Sequence, residues 1–366
     1  MVIVIDTKNI ALFSGGISAF VKPLIKAWIE SQPNISFVLI GPSMKTEWID
    51  GLSNFEFKEV PWPTYLPRQL RHPYYDLILF PRAIKKIKPD FIYSPYHDVK
   101  LPKKIPSVIT VHDTCIGELR GVYPKSIRLY YDKTLKRNLK ISQNIITVSN
   151  ASKKAIAKHY LISEDRIHIV PNAFDLPADF SIPKTNGVKS DYSDIKLFYA
   201  GGAEFRKNIK NLALSLEVLE KRGYKVNLRV TGNYKGAWER ELQGISPSTV
   251  SKFNFLGYLG VEELFREYAS ADVIAYPSLC EGFGRVCLEA MAMGTPLACS
   301  DLPVLREVSG DYAYYFNPFD VNDIADNILM AKSEGRKPFT VKPEFTIQYV
   351  STSFVNKMNN FVKNLI

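Results

Sequence analysis

Two patterns alternate along the chain. Short continuous apolar runs, rich in β-branched residues, occupy 2–5, 37–41, 90–94, 107–113, 144–149, 196–200 and 272–276. Between several of them, apolar residues recur every third or fourth position, as Ile17, Phe20, Val21, Leu24, Ile25 and Trp28 do. The periodic stretches predict helices with one buried stripe. Continuous apolar runs predict strands covered on both faces, as in parallel sheets flanked by helices. Further strands are expected at 55–60, 167–172, 227–232, 253–259, 296–300 and 312–316. Strands alternating with helices predict an α/β chain with largely parallel, doubly wound sheets.

A break separates two such series. Residues 173–194 hold Pro177, Pro183 and Gly187 among Ser, Asp and Lys, without periodicity, and read as a linker. The expected organisation is a first Rossmann-like domain at 1–172, the linker at 173–194, and a second domain at 195–345. A final segment at 346–366 carries a helical stripe of Phe354, Val355, Met358, Phe361, Val362 and Leu365. Pro23 is expected to interrupt the first helix or to fall in its first turn. Residues 61–67, rich in Pro and aromatics, cannot be a central strand and read as an exposed loop.

Composition changes this picture in one respect. The net charge is +10, but residues 1–172 hold 25 basic and 14 acidic residues, so the excess lies wholly in the first half. Nucleic acid is one reading of such a surface. An anionic leaflet or a pyrophosphate-linked lipid acceptor is preferred, with a solvated basic surface as the plain alternative. Cys115, Cys280, Cys287 and Cys299 form no C-x-x-C pair and read as reduced residues of a cytosolic protein. No apolar run of 18 residues suggests a membrane span, and the chain opens directly on a strand.

The candidate chemistry lies at strand ends. After the run 272–276 come Glu281, Gly282, Phe283 and Gly284, then a stretch of good helix formers containing Glu289. A glycine loop at a helix N-terminus offers backbone N–H groups to an anion. The two carboxylates can each accept sugar hydroxyls. Arg206 and Lys207 follow the glycine-rich end of the run 196–200, and Asn208 is expected to cap the next helix. Two cations beside a helix start suit a diphosphate. His97-Asp98 and His112-Asp113 each follow a strand in the first half, and Gly15 and Gly16 follow the first strand. No G-x-G-x-x-G occurs, so the dinucleotide fingerprint is absent.

The stretch from Glu281 to Pro296 resembles the signature of retaining GT-B glycosyltransferases, in particular glycosyltransferase family 4 (group 1) of the mannosyl- and rhamnosyltransferase type. The resemblance implies two Rossmann-like domains facing across a cleft, with the C-terminal helix returning to the first. It implies that Glu281 faces the donor-sugar hydroxyls, with Gly282, Phe283 and Gly284 at the sugar and diphosphate and Glu289 at the ribose. Arg206 and Lys207 match its R-K-N element at the donor phosphates, and His112 matches the histidine of its T-x-H-D segment at the donor sugar. Gly15 and Gly16 match its diphosphate-facing glycines, and Gly257-Tyr258-Leu259 its nucleobase segment, so Tyr258 is included. The catalytic set is then His112, Glu281, Arg206 and Lys207. The chain departs from the pattern at Gly202, where many members carry Arg, and at Arg285, which reads as an extra phosphate contact or a solvated surface residue.

The implied activity is a hexosyltransferase that moves a hexose from GDP-mannose or a similar nucleotide sugar. The acceptor would be a glycan or lipid-linked saccharide in surface-polysaccharide synthesis. No D-x-D triplet occurs, so no metal and no other cofactor is expected. The expected partners are the donor, the acceptor and an anionic membrane surface, without nucleic acid. The expected location is cytoplasmic, peripheral on the inner membrane face. A sugar-nucleotide epimerase, a phosphorylase and a non-catalytic binding subunit of a polysaccharide assembly complex are the competing readings.

Overall fold

The computed structural model of the 366-residue chain describes residues 1–12, 16–43, 47–119, 121–174, 176, 180, 193–232 and 235–364. It divides into two compact units, Met1–Ala173 with Pro343–Ile366, and Phe174–Lys342. Most of the segment 173–194 and the glycine Gly15 lie outside the described residues.

In the first unit the strands are β1 (Val2–Asp6), β2 (Ser36–Gly41), β3 (Phe55–Glu59), β4 (Phe91–Ser94), β5 (Ser107–Val111), β6 (Asn144–Thr147) and β7 (Ile167–Ile169). Among the described residues they form one sheet in the order β3-β2-β1-β4-β5-β6-β7, every pair parallel. Strands β4 and β5 are buried at every residue, which is why their sequences run apolar without alternation. One face is packed by the helix Gly16–Glu30, whose Trp28 is fully buried edge-on to Phe37, Phe91 and Tyr93. The C-terminal helix Ile347–Lys363 packs on the same helix. Its Phe354 meets the Trp28 ring at 6.2 Å, and Asn359 accepts a 3.0 Å hydrogen bond from the indole N–H. The apolar stripe near the chain end is thus the strip that returns to the first unit.

The second unit repeats the plan. Its strands are β8 (Asp194–Tyr199), β9 (Lys225–Val230), β10 (Phe253–Phe255), β11 (Val273–Tyr276), β12 (Leu297–Ser300) and β13 (Tyr314–Phe316). They pair in parallel in the order β10-β9-β8-β11-β12-β13. In each sheet the chain lays strands on one side of the first strand and then crosses to its other side. The switch points lie between β1 and β4 and between β8 and β11, where doubly wound sheets hold their ligands.

Two local expectations are corrected. The helix Gly16–Glu30 runs straight through Pro23. Its stripe of Phe20, Val21, Leu24, Ile25 and Trp28 is buried, and that packing outweighs the one backbone hydrogen bond proline removes. Asn208 does not cap the helix Ile209–Lys221 with its side chain. It adopts a left-handed φ of 55° and donates its amide to the Pro318 carbonyl at 2.7 Å. Cys287 and Cys299 are free and buried.

Candidate active site

At the end of β11, Pro277 and Ser278 turn the chain so that Glu281 points back at the loop after β8. There a short 3-10 turn, Phe205–Lys207, precedes the helix Ile209–Lys221. The two loops are pinned by the backbone, since the Leu279 N–H donates to the Arg206 carbonyl at 2.7 Å. Lys207 Nζ donates to Glu281 Oε1 at 2.6 Å and to the Tyr276 hydroxyl at 2.9 Å. Tyr276 and Ser278 donate to the same Oε1, each at 2.6 Å, and Arg206 reaches it at 3.3 Å. Glu281 Oε1 therefore faces more donors than it has lone pairs, whereas Oε2 accepts from none of the described residues.

The electrostatics follow from this crowding. Burial pushes the Glu281 carboxyl up, but Lys207 and Arg206 outweigh it and pull it down to about 2. Burial also pulls the Lys207 ammonium below its usual range, which the Glu281 charge opposes. The pair is a carboxylate held low and a largely buried ammonium, 2.6 Å apart. Arg206 is further held by Glu204 at 2.9 Å.

Beyond Glu281 the loop closes on Gly284, whose φ of 95° is a left-handed conformation suited to glycine. A Cβ there would stand 2.5 Å from Leu305 Cδ2, so the position is closed to larger residues on steric grounds too. The helix Arg285–Ala292 starts at this residue. Phe283 is only 4% exposed and serves as a wedge under the loop. Glu289, 7% exposed, accepts from the Tyr268 hydroxyl at 2.7 Å and from Arg285 at 3.0 Å. Arg285 is thus neither a plain surface residue nor a bare cation, because it holds Glu289 one helical turn away. Tyr258 is 83% exposed.

In the first unit the expected residues lie at the ends of β1, β4 and β5. Gly16 opens the helix Gly16–Glu30. His112 follows β5 and is buried. Its Nε2 lies 2.9 Å from the Pro95 carbonyl, which can only accept, so Nε2 carries the proton. Nδ1 is then a bare acceptor, buried and without a partner. Burial moves this imidazole down to about 4, so it is neutral at physiological pH. His97 Nδ1 and Asn9 Oδ1 are also buried without partners. Three unmet polar atoms near one switch point fit a ligand that brings hydroxyl groups, which both donate and accept.

Sequence reasoning passed over the side chains that hold these residues. Tyr276, Ser278 and Tyr268 look like ordinary strand, turn and helix positions, and only the fold turns their hydroxyls onto Glu281 and Glu289. It also passed over Lys8. That ammonium is fully buried, 2.6 Å from both Asp76 and Asp98, with Asp6 close by. Burial and neighbouring Asp98 raise the Asp6 carboxyl to about 6 and the Asp76 carboxyl to about 7, against the pull of Lys8. Asp98 is held low, because Lys8 and His97 overcome its burial. Asp76 sits in a π-helical turn, Tyr75–Leu79, and accepts from the Tyr130 hydroxyl at 2.8 Å. An apolar residue followed by Asp in a helical stretch gives no hint of this. Among the described residues no group of three His, Cys, Asp or Glu side chains is arranged to hold a metal ion.

Comparison with known proteins gives the site a family context. Residues 184–339 match the family model described as glycosyl transferases group 1, and residues 14–177 match that of glycosyltransferase family 4. The chain is 31% identical over 269 residues to O-antigen chain mannosyltransferase B of Escherichia coli, an alignment covering 69% of each chain. Among solved structures it resembles sucrose-phosphate synthase from Thermosynechococcus elongatus, with a TM-score of 0.69 at 18% identity, over 100% of this chain and 99% of that one. It also resembles WaaG, a glycosyltransferase involved in lipopolysaccharide biosynthesis, with a TM-score of 0.66 at 16% identity, over 100% of this chain and 98% of the other. At these identities the two structures speak for the fold alone.

Proposed function

The chain belongs to the group 1, family 4 glycosyltransferases, and from that premise we propose that it transfers a hexose, with retention of configuration, from a nucleoside-diphosphate sugar to a saccharide acceptor. The single observation that carries this reading is the Lys207–Glu281 pair, fixed at 2.6 Å between two pinned loops. In this reading Glu281 Oε2 accepts sugar hydroxyls while Oε1 is held by protein donors. The sugar C1–O bond to the diphosphate breaks, and negative charge grows on the departing phosphate. Lys207, Arg206 and the N–H groups of the Gly282–Gly284 loop stabilise that charge where it develops. The acceptor oxygen bonds to C1 on the face the diphosphate leaves, and its proton passes to the departing phosphate oxygen. Glu289 holds the ribose, Tyr258 and Gly257 meet the base, and neutral His112 accepts a sugar hydroxyl at Nδ1.

The donor proposed first is GDP-mannose, because the relative of 31% identity is an O-antigen mannosyltransferase. The acceptor class is a glycan or lipid-linked saccharide of surface-polysaccharide synthesis. The cations at the diphosphate make a metal unnecessary. A thermal-shift screen of GDP-mannose, dTDP-rhamnose, UDP-glucose and UDP-N-acetylglucosamine tests the donor. Stabilisation by GDP-mannose and by GDP is the expected result. Stabilisation by another donor alone would overturn the mannose assignment. Proton NMR of the product tests the stereochemistry, and an inverted anomer would overturn retention.

A further inference from the structure

In the second unit, Tyr268 and Glu289 stand on the helices Val261–Ser270 and Arg285–Ala292. The two helices end beside one another. Just past the second, the Thr295 hydroxyl donates to the Tyr268 carbonyl in the last turn of the first, at 2.7 Å. Helix ends leave backbone carbonyls without intrahelical donors. The second helix closes part of its own end. Gly294 turns left-handed at a φ of 67°, its N–H donates to the Met291 carbonyl at 2.8 Å, and the Thr295 N–H donates to that of Ala290 at 3.0 Å. Further carbonyls are met from outside by Arg336, which follows the helix Val321–Glu334 and Gly335. Its Nη2 donates to the carbonyls of Ala269 and, at 3.1 Å, Ala271. Its Nη1 donates to the Met293 carbonyl and to the Thr295 hydroxyl oxygen, each at 3.2 Å. One side chain therefore holds both helix ends.

These bonds lead step by step to Glu289. Ala269 and Ala271 follow Tyr268 closely in the chain, and Thr295 holds the Tyr268 carbonyl itself. The Tyr268 ring is fully buried, edge-on to Phe198 at 5.1 Å, so its hydroxyl is aimed by its backbone. That hydroxyl donates to Glu289 Oε2 at 2.7 Å. Position thus passes from Arg336 through Thr295 and Tyr268 to the carboxylate assigned to the ribose. A guanidinium suits this task, because its donors form a rigid planar fork, whereas a lysine ammonium is a point charge on a flexible stem. A binding group works only when its supporting contacts hold it within about 0.5 Å of the productive position. We propose that Arg336 is a positioning residue for nucleoside-diphosphate recognition, and that it sets the ribose preference of the site through Thr295, Tyr268 and Glu289. The proposal rests on the reading in which Glu289 holds the ribose hydroxyls. Arg336 acts through that carboxylate and is not itself a catalytic residue.

Isothermal titration calorimetry of the full chain, with GDP, UDP and the dideoxyribose form of each, separates positioning from plain stabilisation. For the base that the wild type binds more tightly, the ribonucleotide should bind about tenfold or more better than its dideoxyribose form, as hydroxyls on a charged acceptor do. Arg336→Ala should cut that ratio to about threefold or less, with affinity for the dideoxyribose form kept within about twofold. Arg336→Lys should fall between the two. Thr295→Val removes only the relay hydroxyl and should also narrow the ratio, which keeps the proposal testable if Arg336→Ala does not melt cooperatively by circular dichroism. The double variant Arg336→Ala/Tyr268→Phe should lose no more than the larger single loss, because both residues act on one path. An Arg336→Ala protein that keeps the full ratio would overturn the proposal. So would equal losses of affinity for both forms, the mark of a merely structural clamp. Glu289→Ala tells the two levels apart. If it keeps the wild-type ratio, the ribose assignment fails; if it abolishes the ratio and folded Arg336→Ala does not, only the positioning role fails.

Discussion

At Glu281 one carboxylate oxygen is saturated and the other is open, and at Glu289 both oxygens have a protein partner. The two acids therefore respond differently to substitution. In the proposed reading Glu289→Ala removes a ribose acceptor that acts equally in ground and transition states, so the donor KM should rise with a smaller change in kcat. Initial rates over a range of donor concentrations check this, and a kcat loss larger than the KM change would move Glu289 into the bond-breaking step. His112 has a signature in pH. Its imidazole sits at about 4 in the fold against an ordinary 6.5, so its contribution is present above pH 6.5 and is lost as pH falls towards 4. Acid should therefore cost the wild type up to about 3 kcal/mol that His112→Phe does not lose over that range. Urea unfolding of both proteins at pH 7 and pH 4.5 measures the difference, and parallel losses would contradict the buried neutral tautomer. Glu281, Lys207, Arg206 and His112 stand out in the sequence because ionisable side chains follow apolar runs at strand ends. Tyr276, Ser278 and Tyr268 do not, because a hydroxyl on a strand or helix shows its direction only once the fold exists.

Elements were legible to different degrees. The buried strands could be read from sequence because both faces are covered, so each is a continuous apolar run, as in β5 and β11. Ends and special turns could not. Asn208 looks like a cap but turns left-handed towards Pro318, and the π turn at Tyr75–Leu79 has no periodic signature. That turn carries Asp76 onto Lys8, which it shares with Asp98. Breaking such a buried network from its centre leaves carboxylates without a counter-charge. Lys8→Met should cost about 3–5 kcal/mol of stability at neutral pH. Because Asp6 and Asp76 are held high even with Lys8 present, the loss should shrink as pH falls below 6 and they become neutral. Chemical denaturation at pH 7.5 and pH 5.5 checks both statements, and a loss under 1 kcal/mol at pH 7.5 would contradict the picture.

At the scale of the whole molecule, the two parallel sheets and the returning C-terminal helix match the doubly wound pattern of apolar runs and stripes. The charge count found the basic half of the chain, and twelve of its 25 basic residues lie in residues 68–88 and 125–140, which are far apart in sequence. In the proposed reading the cations at Glu281 serve a leaving diphosphate. If Lys207 and Arg206 stand in for a metal, excess EDTA should leave the rate within about twofold. Abolition that Mg²⁺ restores would contradict the metal-free reading. The most direct measurement of the central claim is the steady-state rate of nucleoside-diphosphate release by Lys207→Ala at saturating donor. The account predicts that kcat falls by about 10²–10³, because the ammonium is worth most when the glycosidic bond is breaking. A near-normal kcat in that variant, with the protein folded and the donor bound, would contradict it.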